Sequence, residues 1–391
     1  MSHYPARMTR TEKLLAELIA LPSVNPAFAG QDGAVRGGHK FGERNVAEFL
    51  AAIASRAGLE IEFQSVLPGR PNFIARLLPR GKTRRTILLA PHLDTVNAES
   101  FIPRRKNGRL HGRGACDTKG SVAAMLIALC ELAEAKSRPV ETEIVFAGLI
   151  DEEHSQAGSR ALVGQGVKKA APFKADLAIV GEPTRLQVVT AHKGNLWLEI
   201  ETRGVAAHGS TPHLGKNAIH EMAHLVDFLQ TDYAARLRRR RHKLLGHATV
   251  NVGVICGGRQ PNIVPDHCTI TIDRRTMPGE TDAGVKRELQ KFLRSKNFHA
   301  TIADKKLAPA VPLETNPKLP LVRNFMEATG QKSAAGVHFF CDAAVLSSGG
   351  IPGVVFGPGD VAQAHTADEW ISLSELERGK DLILKFLRSL P

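Results

Sequence analysis

The chain has 391 residues, 43% apolar and 23% charged, which is the make-up of a folded polar-surfaced protein with too much sequence for one compact core. No apolar run is long enough to span a bilayer, Met1–Arg10 has no leader-like apolar stretch, and five irregularly spaced cysteines make no disulfide framework, so a reducing cytoplasm is expected. A net charge of +13 and a pI near 9.7 suit an anionic substrate, yet the densest basic run, Arg236–Lys243, lacks interleaved aromatics and any nucleic-acid motif, so neither a nucleic-acid nor a membrane partner is expected.

Thr9 with Glu12 reads as a capping box before an amphipathic helix carrying Leu14, Leu15, Leu18 and Ile19, which Pro22 and Pro26 end. Gly30–Gly38 reads as a mobile loop. A second helix shows Val46, Phe49, Leu50 and Ile53 on one face and stops at Gly58. Strands are expected at Leu59–Phe63 and Phe73–Leu78, and then at Thr86–Ala90, Glu143–Ile150 and Asp176–Val180, which are continuous apolar runs of the kind covered on both faces. Between them the stretch His111–Gly120, H-G-R-G-A-C-D-T-K-G, leads into a helix with Val122, Met125, Leu126 and Leu129. Strands alternating with helices argue for an α/β layered sheet.

From about Val188 the texture changes. Half-exposed strands at Leu196–Thr202, Thr249–Ile255, Cys268–Asp273 and His299–Ala303 alternate with helices at Ala218–Leu229 and around Val285–Leu293. That β-α-β-β-α-β order is the ferredoxin-like split pattern. Residues 187–305 are therefore expected to form an inserted α+β domain, suited to lid or dimer duty, between two parts of one catalytic domain, 1–186 and 306–391. After it come a helix at Leu319–Ala328, a strand at Gly353–Phe356, the turn Gly357–Gly359, and a last helix capped by Ser372 with Glu375.

Several residues with metal-binding or acid–base chemistry fall at strand exits, where open α/β sheets bind ligands. His92 and Asp94 follow Thr86–Ala90, Glu152 and Glu153 follow the strand ending at Ile150, and Glu182 follows Val180. His365 comes after Phe356, and Asp117 sits in the glycine-rich turn. Singly, each reads equally well as a helix cap, a turn residue or a surface histidine. Together they would meet in one crevice, and imidazole with carboxylate donors suits Zn²⁺, Co²⁺ or Mn²⁺. No CxxC pair offers a thiolate zinc site.

P-H-L-D-T-V, G-R-G-A-C-D-T-K-G, D-E-E, G-E-P-T, A-A-H-G-S-T-P-H, D-R-R-T-M-P-G-E and G-P-G-D-x-x-Q-A-H-T-x-D-E-W occur in order between Thr11 and Leu387. In these the chain resembles the di-zinc amidohydrolase and exopeptidase family of acetylornithine deacetylase, succinyl-diaminopimelate desuccinylase, aminoacylase and glutamate carboxypeptidase, and most of all its acetylornithine deacetylase branch. The resemblance implies a zinc exopeptidase-like α/β fold with a mixed sheet, and two divalent ions, zinc foremost with Co or Mn as alternatives. His92, Asp117 and Glu182 would hold one ion and Asp117, Glu153 and His365 the other. Asp94 would orient His92, Glu152 would be the general acid/base, and a metal-bridging hydroxide would attack the amide of an N-acyl amino acid. His208 would add an oxyanion donor, often across a homodimer formed through the inserted domain. Arg275 and Asn262 would hold the substrate's carboxylate or acyl group, with Arg274 as the rival of Arg275. Lys193 is a further cleft candidate, and Asp342 or its neighbours are offered to a cationic substrate side chain. The Asp117–Thr118 peptide is expected to be cis. Desuccinylase, dipeptidase or glutamate carboxypeptidase activity on the same scaffold is the alternative.

Overall fold

The structure, a computed structural model, describes residues 8–28, 42–98, 100–135, 138–165, 172–305 and 310–391; the loop expected at 30–38 lies outside them. Helix Arg10–Ala20 starts where expected, with the Thr9 hydroxyl accepting from Glu12 N–H. The other half of the expected box is replaced, because the Glu12 carboxylate lies 2.6 Å from Arg105 Nε. The chain divides into two compact units, one of Met1–Thr190, Thr315–Ala335 and Cys341–Pro391, the other of Ala191–Glu314 and Gly336–Phe340.

The first unit is built on a mixed sheet. Its strands lie in the order Glu60–Leu67, Arg70–Leu77, Thr142–Gly148, Arg85–Pro91, Leu177–Gly181, Gly353–Val355 and Val189–His192. Arg85–Pro91 runs parallel to both of its neighbours, with Leu88 level with Val145 on one side and Ala178 on the other. Gly353–Val355 also runs parallel to Leu177–Gly181, while the flanking pairs are antiparallel. The alternation of a strand splits its side chains between two buried faces. Ile87, Leu89, Ile144, Phe146, Leu177 and Ile179 join the core formed with helices Arg10–Ala20, Arg44–Arg56, Lys119–Glu134 and Leu373–Arg388. On the other face, helix Asp342–Ser348 packs on Leu177–Gly181 and Gly353–Val355. Lys119–Glu134 is apolar nearly all round because helices Arg10–Ala20 and Leu373–Arg388 cover the side that faces away from the sheet. Lys119 reaches into this core: its Nζ donates to Leu18 O and Leu21 O, both at 2.8 Å, and satisfies the end of the first helix.

A small three-stranded sheet is, with strand Val189–His192 and helix Asp342–Ser348, among the elements that sequence reading missed. Arg104–Lys106 and Arg109–His111 pair across an Asn107-Gly108 turn, with φ of +49° and +71°, and Trp370–Ser372 pairs with Arg109–His111. The Arg109 guanidinium stacks 3.6 Å from the Trp370 ring centroid.

In the second unit the antiparallel sheet runs Thr249–Gly257, His267–Thr276, Gly194–Arg203, Ala300–Asp304. Helices Ala218–Phe228 and Asp282–Arg294 cover one face, burying Leu198, Ile200, Ile270 and Ile272 against Met222, Leu225, Leu289 and Leu293. This is the expected ferredoxin-like arrangement. The opposite face carries Trp197 and Val254, both exposed.

Candidate metal centre

The centre lies in the first unit, just past the carboxyl ends of its parallel strands. Pro91 ends one strand, and a backbone bridge to Leu149 sets His92 level with the exit of the neighbouring strand. His92 is 2% exposed, with Nε2 3.0 Å from Asp117 Oδ1 and 3.9 Å from Glu182 Oε1. Its Nδ1 is 3.0 Å from the Asp94 carbonyl oxygen and 3.5 Å from Asp94 Oδ1. The other oxygen of Asp117, Oδ2, is 3.3 Å from His365 Nε2, which also lies 3.0 Å from Glu153 Oε1. Asp117 thus divides its two oxygens between two imidazoles. His92, Asp117 and Glu153 present ligand atoms within 4.8 Å of one another.

Local sequence explains how Asp117 gets there. Gly112 and Gly114 take φ of +149° and +82°, which side chains disfavour. A Cβ on Gly120 would stand 2.6 Å from the Ala115 carbonyl oxygen, so the helix can begin tight against its own turn only with glycine. The Asp117–Thr118 peptide is cis, as expected, and Thr118 Oγ1 donates to Gly181 O at 2.8 Å.

Glu152 and Glu153 are fixed through their backbone. Asp94 accepts from Glu152 N–H at 3.0 Å on Oδ1 and from Glu153 N–H at 3.1 Å on Oδ2. Asn25 Nδ2 ties Asp94 to Asp151, at 2.8 and 2.9 Å, and Arg70 ties Asp151 to Glu43. Asp151 takes φ of +66° immediately before the pair, in a conformation the Arg70, Asn25 and Ser155 contacts hold in place. Asn25, Glu43, Arg70 and Asp151 were not foreseen as parts of the site. Glu369 and Arg113 were also missed, although they, like Asp151, lie inside the motifs D-E-W, G-R-G and D-E-E. Glu369 accepts from Gly114, Cys116 and Asp117 N–H and from Arg113.

Charge is unevenly matched in this cluster. Burial, reinforced by neighbouring carboxylates, pushes Glu152 and Glu182 well above the usual carboxylate range, and Glu153 is raised for the same reasons. Burial opposes charge on His92 also, but hydrogen bonds to Asp117 and Asp94 outweigh it and raise the imidazole well above its ordinary value. Hydrogen bonds to Asp117 and Glu153 take His365 up to about 10. Four crowded carboxylates with two imidazoles, all nitrogen and oxygen donors, fit a divalent cation of the zinc, cobalt or manganese kind. Asp342, offered to a cationic substrate group, is 1% exposed, and its Oδ1 accepts from Ser159 Oγ at 2.6 Å. That burial leaves it no open face for a substrate side chain.

The remaining predicted residues belong to the second unit. His208 and Asn262 are exposed on paired loops, with Gly209 N–H donating to Asn262 O at 2.8 Å and His208 Nδ1 2.6 Å from Ser210 Oγ. Lys193 and Arg275 line a cavity of about 640 Å³ with His247, Thr249 and His338. Lys193 Nζ donates to His247 O, and Arg275 pairs with Asp273 at 3.0 Å. Arg274, the rival of Arg275, points to the opposite face, where it is 1% exposed and held by Glu280 at 2.7 Å.

Compared with known families, the chain matches Peptidase family M20/M25/M40 over residues 88–389. The chain belongs to that family. Acetylornithine deacetylase of Myxococcus xanthus is 31% identical over 347 residues, covering 85% of this chain and 88% of that protein. The enzyme of the same name from Edwardsiella ictaluri is 29% identical over 387 residues, 96% of each. Among solved structures, aminopeptidase PepT of Bacillus cereus superposes with a TM-score of 0.75 at 22% identity over 97% of both chains. The YXEP protein of Bacillus subtilis, described as a dinuclear metal-binding peptidase, does so at 0.69 and 15% identity, again over 97% of both. This M20 protein is a metal-dependent hydrolase acting on amide bonds. Among its described residues no helix is long and apolar enough to cross a membrane.

Proposed function

We propose that this M20 protein removes the acyl group from an N-acylated amino acid, using two divalent cations, zinc foremost. The observation that carries the reading is Asp117, with one oxygen directed at His92 and the other at His365. On this reading His92, Asp117 and Glu182 hold one cation and Asp117, Glu153 and His365 the other. When bound, a pair of cations sharing one carboxylate supplies Lewis acidity and brings the pKa of a water towards neutrality.

The chain's own groups do the rest. Asp94 holds the Glu152–Glu153 turn and orients His92 through Nδ1. Glu152, beside a ligand but outside the ligand set, carries a proton on its carboxyl between the attacking water and the leaving nitrogen. A carboxyl that burial keeps prone to protonation is suited to that exchange. On their motifs, His208 is the proposed oxyanion donor, Arg275 and Asn262 the proposed acyl or carboxylate contacts, and Lys193 a further substrate contact. Residues 187–305 are the proposed lid and homodimer surface.

The test is a hydrolysis panel of N-acetyl, N-formyl and N-succinyl amino acids and of dipeptides, each with Zn²⁺ or Co²⁺ and after chelation. N-acetyl amino acids, ornithine among them, are expected to turn over fastest. Glu152→Gln is expected to keep its metal and lose at least about 100-fold in kcat, in line with loss of a general acid–base group. Turnover of dipeptides alone would move the assignment to a peptidase, and an undiminished Glu152→Gln would remove Glu152 from the proton path.

A further inference from the structure

Resting on the ligand assignment above, we propose that Glu369 is a positioning residue that binds the His365 segment to the Asp117 loop and thereby sets the affinity of the cation held by Asp117, Glu153 and His365. Glu369 is 2% exposed and lies four residues past His365. Its Oε1 accepts from Cys116 N–H at 2.8 Å and Asp117 N–H at 3.0 Å; its Oε2 accepts from Gly114 N–H at 2.9 Å and Arg113 Nη1 at 2.7 Å. Converging backbone N–H groups make an anion-binding concavity, and here a carboxylate of the same chain fills it. The small sheet delivers that carboxylate: Trp370 pairs with His111, and Gly112 N–H donates to Glu369 O at 2.9 Å.

The two ligands joined by this clamp are not equally anchored without it. Thr118 Oγ1 bonds Gly181 O and Lys119 Nζ bonds Leu18 O and Leu21 O, so the residues after Asp117 keep their place on the sheet and the first helix. His92 has its own support in Asp94. His365, by contrast, has a side chain 53% exposed and a backbone φ of +59°, on a loop segment tied to the Asp117 turn through Arg113 and Glu369. Arg113 Nη2 reaches Thr366 O at 3.2 Å from the same guanidinium that bonds Glu369. Weakening the clamp therefore loosens His365 before it loosens His92, Glu182 or the helix carrying Asp117.

The experiment titrates the metal-free full-length protein with Zn²⁺ by calorimetry and with Co²⁺ by its visible absorption, for wild type, His365→Ala, Glu369→Gln and Glu369→Gln/His365→Ala. Wild type is expected to bind in two steps and His365→Ala to lose one. Glu369→Gln places an amide NH₂ among N–H donors at unchanged size, and is expected to weaken the His365-dependent step at least tenfold while the other step stays within about threefold. In the His365→Ala background the same change should leave the remaining step within about threefold. Equal weakening of both steps, or a further loss in that background, would make Glu369 a general fold contact and overturn the proposal. So would two wild-type-like steps in Glu369→Gln. A wild-type protein that takes up no cation would instead sink the ligand assignment itself. Should Glu369→Gln not fold, Arg113→Lys decides: it keeps the charge, loses the second arm to Thr366 O, and is expected to weaken the His365-dependent step alone.

Discussion

Replacing Asp94 by asparagine tests how the proposed proton carrier is held. The carboxylate accepts from Glu152 N–H, Glu153 N–H and Asn25 Nδ2, at 3.0, 3.1 and 2.8 Å, and it faces His92 Nδ1. An amide of the same shape has one acceptor. If its NH₂ takes the place of Oδ1 it confronts Glu152 N–H; if it takes the place of Oδ2 it confronts Glu153 N–H and Asn25. One or two bonds to a charged acceptor are lost, at about 1.5–3 kcal/mol each, in a site with no water access at Asp94. A loss of about 2–4 kcal/mol that falls on transition-state geometry lowers kcat/KM by roughly 30- to 1,000-fold. The assay is steady-state kinetics on the best substrate of the panel, at saturating Zn²⁺, with bound metal quantified in the same samples. Asp94→Asn that carries its full metal and keeps kcat/KM within about threefold of wild type would refute the idea that Asp94 positions this turn.

Burial holds the His192 imidazole down to about 4 from an ordinary 6.5. Below pH 6.5 the unfolded chain takes up a proton that the folded chain refuses, so this group's contribution is complete above pH 6.5 and is lost as pH falls towards 4, on the order of 3 kcal/mol in all. Urea titrations should therefore show His192→Gln losing less stability than wild type between pH 7 and pH 4.5; parallel losses would contradict this. Arg274→Met should cost the second unit about 3 kcal/mol, because Glu280 loses a partner at the end of a buried guanidinium. Arg274→Lys should fall between, and a melting temperature unchanged in both would refute the pairing. Exhaustive chelation should abolish hydrolysis and Zn²⁺ or Co²⁺ should restore it; activity that survives chelation would remove metal from the chemistry.

Runs such as Thr86–Ala90 and Asp176–Val180 were readable because strands buried on both faces need apolar residues without a break, and helix caps at Thr9 and Ser372 because orphan N–H groups require an acceptor at a fixed offset. Of the seven residues proposed for the centre and its turn, six were visible as side-chain types following strands, and Asp117 as the one carboxylate of a glycine-rich turn. The supports were not. Asn25 lies 69 residues from Asp94 and 126 from Asp151, and a single buried amide leaves no periodicity to read. Asp342 carried no sign of burial, because nothing local distinguishes a carboxyl facing solvent from one facing Ser159. The small sheet did leave a trace, the Asn107-Gly108 dipeptide between short polar runs, but its strands are three residues long and too brief to alternate.

Strand Gly353–Val355 fills the gap between Leu177–Gly181 and Val189–His192, and it arrives only after residues 191–314 have been made. During synthesis the ribosome therefore releases His92, Asp117, Glu153 and Glu182 well before the strand that completes their sheet and the histidine and glutamate that follow it. Folding from the N-terminus outwards leaves an unfinished edge beside Leu177–Gly181 for that interval. Any chain truncated ahead of Trp370 would be born without the last imidazole fastened in place, so on the proposed reading hydrolytic competence comes only with the final few dozen residues.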